Sequence, residues 1–365
     1  MNTNIYQGRR VLVTGHTGFK GAWLCTWLVA QGAVVHGYAL EPPTRPALFT
    51  QLGLCEQLAS HTVADLRNRT ALTECVGCVQ PEFIFHLAAQ PLVRHSYAAP
   101  AETFDVNVMG TVNLLEAVRT VFAKTAHRCS VVCVTTDKCY ENDEMGRAFV
   151  ETDPMGGYDP YSASKGACEI AISSYRRSFF SSPDSCVRVA SARAGNVIGG
   201  GDWAEDRLVP DAMRAFLSLP PRPLVIRNGT ATRPWQHVLE PLYGYLLLGA
   251  ALDARMPNAD SAFNFGPDAR NVKTVGMLAR ELARRFPGTS VVDRTDPTAV
   301  HEATFLQLDS SKAKRVLGWV PQFDFAQTLD AVAAWYAEVG RNPAVAAEMT
   351  RRQIGIFMEK ARHDR

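Results

Sequence analysis

Long apolar runs are missing from this 365-residue chain: no stretch of 18 or more apolar residues occurs, so no membrane-spanning helix is expected. An excess of charge is missing too. The formal net charge of +2 gives no global reason to bind nucleic acid or a membrane surface. Met1 to Gln7 is polar and leads straight into the first strand, which predicts no signal peptide and a cytoplasmic protein. Cysteine is present but not as a framework. The nine residues are odd in number and scattered, most of them in apolar runs such as Cys129 to Val134, so buried free thiols are expected. Cys75 and Cys78 have zinc-ligand spacing, yet structural zinc normally takes four ligands and no second pair stands nearby; no metal is expected. Internal repeats and low-complexity tracts are absent as well.

What is there is an ordinary globular composition, 47% hydrophobic and 20% charged. Short apolar runs at Arg10 to Thr14, Ala33 to Ala39, Thr62 to Ala64, Glu82 to Leu87, Val131 to Thr135 and Val187 to Ala192 read as strands. Helical stretches lie between them, at about Phe19 to Gln31, Thr103 to Phe122 and Tyr161 to Phe180. Continuous apolar strands alternating with helices predict an α/β fold, a doubly wound parallel sheet with both faces covered. After about Asn196 the rhythm breaks into loop chemistry and shorter mixed elements. The division expected is a dinucleotide-binding region at 1–195 and a smaller substrate-binding region at 196–365, interwoven with the first. The stretch from Asn342 reads as a helix whose Arg351, Arg352, Lys360 and Arg362 form a solvated face.

Val11-Leu12-Val13-Thr14 runs into Gly15, Thr17, Gly18, Phe19, Lys20 and Gly21, a G-x-x-G-x-x-G spacing between a strand and a helix. That context brings backbone N–H groups and a helix N-terminus up to a pyrophosphate. Lys20 either supports the phosphates or is solvated at the first helical turn. The second strand ends at Leu40 where an acid usually bridges the adenosine ribose; Glu41 is one residue late and Arg45 is not immediate. NAD is favoured over NADP. Asp65, followed by Leu66, ends the third strand, where an acid can accept the adenine amino group. Leu87, Ala88 and Ala89 end the fourth with residues small enough for backbone to lie against a cofactor.

The fifth strand leads into Thr136-Asp137-Lys138, and Tyr161 and Lys165 follow four residues apart, on one face of a helix. Polar groups at the carboxyl end of a central strand sit where doubly wound sheets place ligands. Thr136 would hydrogen-bond a substrate oxygen, Tyr161 would exchange a proton with it, and Lys165 would lower the Tyr161 pKa and hold the nicotinamide ribose. Asp137 and Lys138 exceed what a plain dehydrogenase needs: they add an acid and a candidate base, or else form a strand-end ion pair. Asn107 reads as a buried helix amide that positions nearby backbone.

On Thr-Gly-His-Thr-Gly-Phe-Lys-Gly at 14–21, Thr-Thr-Asp-Lys-Cys-Tyr-Glu at 135–141, Ala-Gly-Asn-Val-Ile-Gly-Gly-Gly-Asp-Trp at 194–203 and Arg-Pro-Trp-Gln-His-Val at 233–238, the chain resembles the extended short-chain dehydrogenase/reductases. Within that family it resembles the nucleotide-sugar 4,6-dehydratases over nearly its whole length. Relatives acting on dTDP-glucose usually carry Asp-Glu at the place of Asp137-Lys138; the lysine suits the branch acting on CDP-glucose. The resemblance implies that Tyr161 accepts the 4-hydroxyl proton while hydride leaves C4 for NAD. Lys138 then removes the C5 proton, protonated Asp137 gives its proton to the departing 6-hydroxyl, and hydride returns to C6. It also implies that Asn196, Arg207 and Arg233 contact the diphosphate of a nucleotide-sugar substrate such as CDP-glucose, as suits the planar fork of arginine. Trp235 packs on sugar or base, or closes the core. A homodimer or dimer of dimers through two long helices, and a place in deoxysugar biosynthesis for lipopolysaccharide O-antigen, follow from the same resemblance. Two rivals share the fold. A 4-epimerase or ketoreductase needs Thr136, Tyr161 and Lys165 but no pair at 137–138, and a silent cofactor sensor would not need Tyr161 or Lys165.

Overall fold

The apolar runs pair into one sheet. β1 (Arg10–Thr14), β2 (Val34–Ala39), β3 (Ser60–Val63), β4 (Phe83–His86), β5 (Cys129–Val134) and β6 (Val187–Ala194) are joined by β7 (Ala262–Phe265), in the order β7-β6-β5-β4-β1-β2-β3. Every pairing is parallel. The computed structural model describes residues 3–123, 125–142, 144–294 and 305–363. Strand order reverses between β1 and β4, and the crevice beyond their carboxyl ends is where such sheets bind ligands. β4 is buried at every position, which is why its sequence is an apolar run rather than an alternation.

Helices cover both faces. On one side α2 (Arg69–Val79), α3 (Gly110–Phe122) and α4 (Pro160–Phe179) pack over Leu12, Ile84 and Val131. On the other, α1 (Phe19–Ala30), α5 (Leu239–Asp253), α6 (Phe325–Arg341) and α7 (Ala346–His363) share a core with Val11, Val13 and Phe85. α1 is buried from Gly21 to Leu28 and α5 from Leu239 to Leu252, so each is apolar all round. In α7, Phe357 meets Trp27 of α1 edge-on at 5.7 Å, while Arg351, Arg352 and Arg362 face solvent.

One helix differs from expectation. The single helix expected over Thr103 to Phe122 is a short helix at Pro100–Phe104, a π-helical turn at Asp105–Met109, and then α3. β7 and α5 come from beyond residue 195 and belong to the sheet and its cover. All nine cysteines are free, with Cys75 half-buried and Cys78 exposed on α2. Among the described residues, no helix is long and apolar enough to cross a membrane.

Candidate active site

The turn after β1 approaches the β4 end so closely that only glycine fits. Gly15 has φ +76°, and a Cβ there would lie 2.7 Å from the backbone nitrogen of Ala88. The Ala88 N–H donates to Thr14 Oγ1 at 3.3 Å, and Thr17 Oγ1 donates to the Leu40 carbonyl at 2.9 Å, fastening the turn to both neighbouring strands. No side chain caps α1 behind Gly18, which leaves its first-turn N–H groups facing the trough. Leu87, Ala88 and Ala89 are half-buried along one wall, and Leu66 is buried against Gly110. This cradle fits the pyrophosphate and adenosine of NAD. The ribose end is open: Leu40 is 58% exposed. Asp65 gives both carboxylate oxygens to Arg67, Nε to Oδ1 at 3.1 Å and Nη2 to Oδ2 at 2.7 Å.

At the other end α4 starts on Asp159, whose carboxylate accepts from the Ser162 N–H at 3.0 Å, with Pro160 at the first helical position. That start brings Tyr161 and Lys165 to the end of β5, both buried. The Tyr161 N–H donates to Ser96 Oγ at 3.1 Å. Asn107 does hold backbone: it accepts from the Gln90 N–H at 2.8 Å and donates to Ser164 Oγ at 2.9 Å. Seating that amide coincides with the π-helical turn.

Thr136 caps the short turn after β5, donating to Asp137 Oδ1 at 3.0 Å and accepting from the Lys138 N–H at 3.4 Å. Asp137 is buried, and its Oδ2 has no hydrogen-bond partner among the described residues. A Cβ on Gly195 would lie 2.6 Å from that oxygen, so the glycine leaves it room. Burial pushes the Asp137 carboxyl up, against the opposing pull of Lys138, Thr136, Arg233 and Lys20. A raised carboxyl with one free oxygen is what a proton donor requires. Burial pushes the Tyr161 phenol up to about 12, and Thr136 is the strongest opposing influence. Burial also lowers Lys165, whose charge is favoured chiefly by Cys168 and Glu169.

The expected diphosphate residues gather at the same mouth. Arg207 donates to Asp202 at 3.1 Å, Asn196 lies half-buried where its carbonyl accepts from the Gln236 N–H at 3.2 Å, and Arg233 is buried. Lys20 is not solvated at the helix start. It is half-buried with no hydrogen bond or ion pair among the described residues, and burial together with Arg207 lowers it to about 8 while Asp137 and Asp202 oppose. Trp235 closes the core, its Nε1 donating to the Lys273 carbonyl at 3.0 Å, and it offers no face to a sugar or base. Sequence reasoning missed Glu169, Arg193 and Tyr140, a buried polar group behind these residues. The spacing Tyr161, Lys165, Glu169 on one helical face was the available signal.

A parallel sheet with its glycine turn, and a buried Tyr–Lys pair at the end of β5, define a short-chain dehydrogenase/reductase. The chain belongs to the family described as GDP-mannose 4,6 dehydratase, which matches residues 12–332. A CDP-glucose 4,6-dehydratase of Salmonella typhimurium is 45% identical over 339 residues, 92% of each chain. A UDP-glucose 4-epimerase of Rhizobium meliloti is 27% identical over 345 residues, 91% of this chain and 98% of that one. A dTDP-glucose 4,6-dehydratase of Bacillus anthracis, solved in complex with NAD, superimposes with a TM-score of 0.73 at 21% identity, covering 92% of this chain and 98% of that one.

Proposed function

We propose that this chain is an NAD-dependent lyase that converts CDP-glucose to CDP-4-dehydro-6-deoxyglucose and water. One observation carries the choice of dehydration over simple hydride shuttling. A buried Asp137 with an unpartnered carboxylate oxygen sits beside Lys138 in the pocket of Tyr161. The 45% identity to a CDP-glucose 4,6-dehydratase supports both the reaction and the substrate.

The chemistry NAD supplies when bound is acceptance of a hydride from C4 of the hexose and its return to C6. Tyr161, as the phenolate that the Lys165 ammonium favours, takes the 4-hydroxyl proton while Thr136 hydrogen-bonds the same oxygen, and Lys165 also holds the nicotinamide ribose. The resulting 4-ketone acidifies C5. Lys138 removes that proton, and Asp137, whose carboxyl burial pushes up, acts in its protonated form and hands its proton to the departing 6-hydroxyl. Asp137 and Lys138 titrate as a pair. Arg207 and Arg233, with Asn196 and Lys20, hold the diphosphate, as their shared mouth and positive charge suit. The cofactor cradle runs from Gly15 through Gly18 and Gly21 to Asp65, Leu66 and Leu87–Ala89.

The same reading includes a cytoplasmic enzyme of deoxysugar biosynthesis, of the kind that feeds lipopolysaccharide O-antigen, acting as a dimer or dimer of dimers. Ile170 at 62% and Phe179 at 51% exposed on α4, with Met109 before α3, leave an apolar face that a second subunit would cover. Ile172 and Phe180, by contrast, lie in the subunit's own core. Light scattering at micromolar concentration should give more than the 40.0 kDa of one chain. The deciding assay incubates the protein with NAD and CDP-, dTDP-, UDP- or GDP-glucose. A 4-keto product from CDP-glucose alone is expected; a C4 epimer without loss of water would replace this reading.

A further inference from the structure

Behind the Tyr–Lys pair lies a charged network that no step above uses. Glu169 stands on α4 four residues beyond Lys165 and eight beyond Tyr161, on their face. Its Oε1 accepts from Thr135 Oγ1 at 2.5 Å, at the end of β5 and next to Thr136. Its Oε2 accepts from Ser191 Oγ at 2.8 Å and from Arg193 Nη2 at 2.7 Å, both on β6. Arg193 continues outward, its Nη1 donating to the Tyr140 hydroxyl at 2.6 Å, two residues beyond Lys138. The Tyr140 hydroxyl in turn donates to Asn264 Oδ1 of β7 at 2.7 Å, and the Tyr140 ring stacks on Phe149 at 4.9 Å. Glu169 and Arg193 are each about 4% exposed.

Burying an ion pair is expensive, and well-packed apolar residues of similar volume usually stabilise a fold as well or better. This pair does something an apolar plug would not. Its hydrogen bonds end on each segment that carries a candidate catalytic group: α4, the β5 end and the turn at 137–140. We propose that Glu169 is a positioning residue: it fixes Tyr161 and Lys165 against Thr136 directly, and fixes Asp137 and Lys138 through Arg193 and Tyr140. Burial pushes the Glu169 carboxyl up, but Arg193, Thr135 and Ser191 together hold it below the ordinary carboxylate value, so it stays ionised. Proton transfer depends on distance, and a displacement of about 1 Å can cost on the order of 100-fold in rate.

The inference rests on the proposed function only for the dehydration step, so the main readout is the single-turnover rate of NADH formation with CDP-glucose, a step that an epimerase reading shares. Product analysis of the unaltered enzyme tests the functional reading separately. Glu169→Leu with Arg193→Met removes both charges, and Thr135→Val removes one hydroxyl without a change of shape. The double variant should regain the melting temperature that Glu169→Gln alone loses, yet form NADH about 100-fold more slowly with KM unchanged. Thr135→Val, which strips one hydrogen bond from the buried carboxylate, should lower the melting temperature modestly, keep KM and be slower by roughly 10-fold. Recovery of the rate together with the melting temperature in the double variant would make the pair merely structural and overturn the proposal. If that variant does not fold, Thr135→Val decides alone, and a rate equal to that of the unaltered enzyme overturns it.

Discussion

At the β5 end of the trough Thr136, Asp137, Tyr161 and Lys165 are all buried, and side chains fix the backbone around them: Ser96 at Tyr161, Asp159 at Ser162 and Thr136 at Lys138. At the β2 end Leu40 faces water and Asp65 is already engaged with Arg67. One end is dry and held from several elements; the other is wet and held by little. Placement of charge in a dry site is worth far more than in water. The chemistry should therefore be sensitive to single atoms at the first end, while affinity for the cofactor should be improvable at the second.

The largest effect is expected where the site is driest. Asp137→Asn keeps shape but cannot lose or regain a proton. It should still form NADH in a single turnover while the 4-keto-6-deoxy product falls by at least about 100-fold. Tyr161→Phe should remove the NADH signal as well. Equal loss of both signals in Asp137→Asn would erase the distinction between oxidation and elimination inside that pocket.

The open end should respond in the opposite direction. Leu40→Asp supplies the acid missing from the end of β2, and a charge-assisted hydrogen bond to the ribose is worth roughly 1.5–3 kcal/mol, or about 10- to 150-fold in affinity. The unaltered protein should gain activity when NAD is added after purification; calorimetry should show Leu40→Asp binding NAD more tightly. Full retention of NAD by the unaltered protein would break the contrast between the two ends.

Acid separates the ends less sharply, since each rests on a neutral histidine. Burial lowers His16 from 6.5 to about 4 beneath the adenosine end. It lowers His86 from 6.5 to about 3 beneath the glycine turn, where Thr14 and Thr111 hydrogen-bond the ring at 2.7 and 3.1 Å. Above pH 6.5 neither the folded nor the unfolded chain binds these protons, and stability is full. As pH falls toward 4 only the unfolded chain binds them, so stability declines by about 1.4 kcal/mol per pH unit for each ring. Urea midpoints at pH 7 and pH 5 should show the decline, and His86→Asn should flatten it.

The smallest effect concerns Lys20, which is charged below about pH 8. KM for the nucleotide sugar should rise several-fold as pH passes above 8 while KM for NAD holds, and Lys20→Arg should abolish the rise. A rise confined to KM for NAD would return Lys20 to the cofactor phosphates.

The glycine turn and the Tyr–Lys pair could be read from the sequence because each is local: a strand, a turn and one helical face supply the whole pattern. What escaped was set by distant partners. The four residues of β7 are too short to declare themselves, and Asn264 within it is polar because it meets Tyr140, 124 positions away. The π-helical turn follows from Asn107 reaching Gln90 and Ser164. Trp235 reads equally as a platform or a plug until the Lys273 carbonyl beneath its nitrogen is seen. The spacing of Tyr161 and Lys165 conveys the lysine's charge but not how dry the phenol is.

The contact between Phe357 and Trp27 has a bearing on how the protein is made. α1 emerges early from a ribosome with apolar side chains on every side, and its cover in α7 follows some 330 residues later. At ordinary elongation rates that interval lasts about 15 to 65 s. For much of it Trp23 waits for Gly200 and His237, and Trp27 for Tyr243 and last of all Phe357, so a chaperone that holds apolar segments is the natural occupant. A chain stopped after residue 345 should therefore collect as aggregate even though its glycine turn, Tyr161 and Lys165 are all intact.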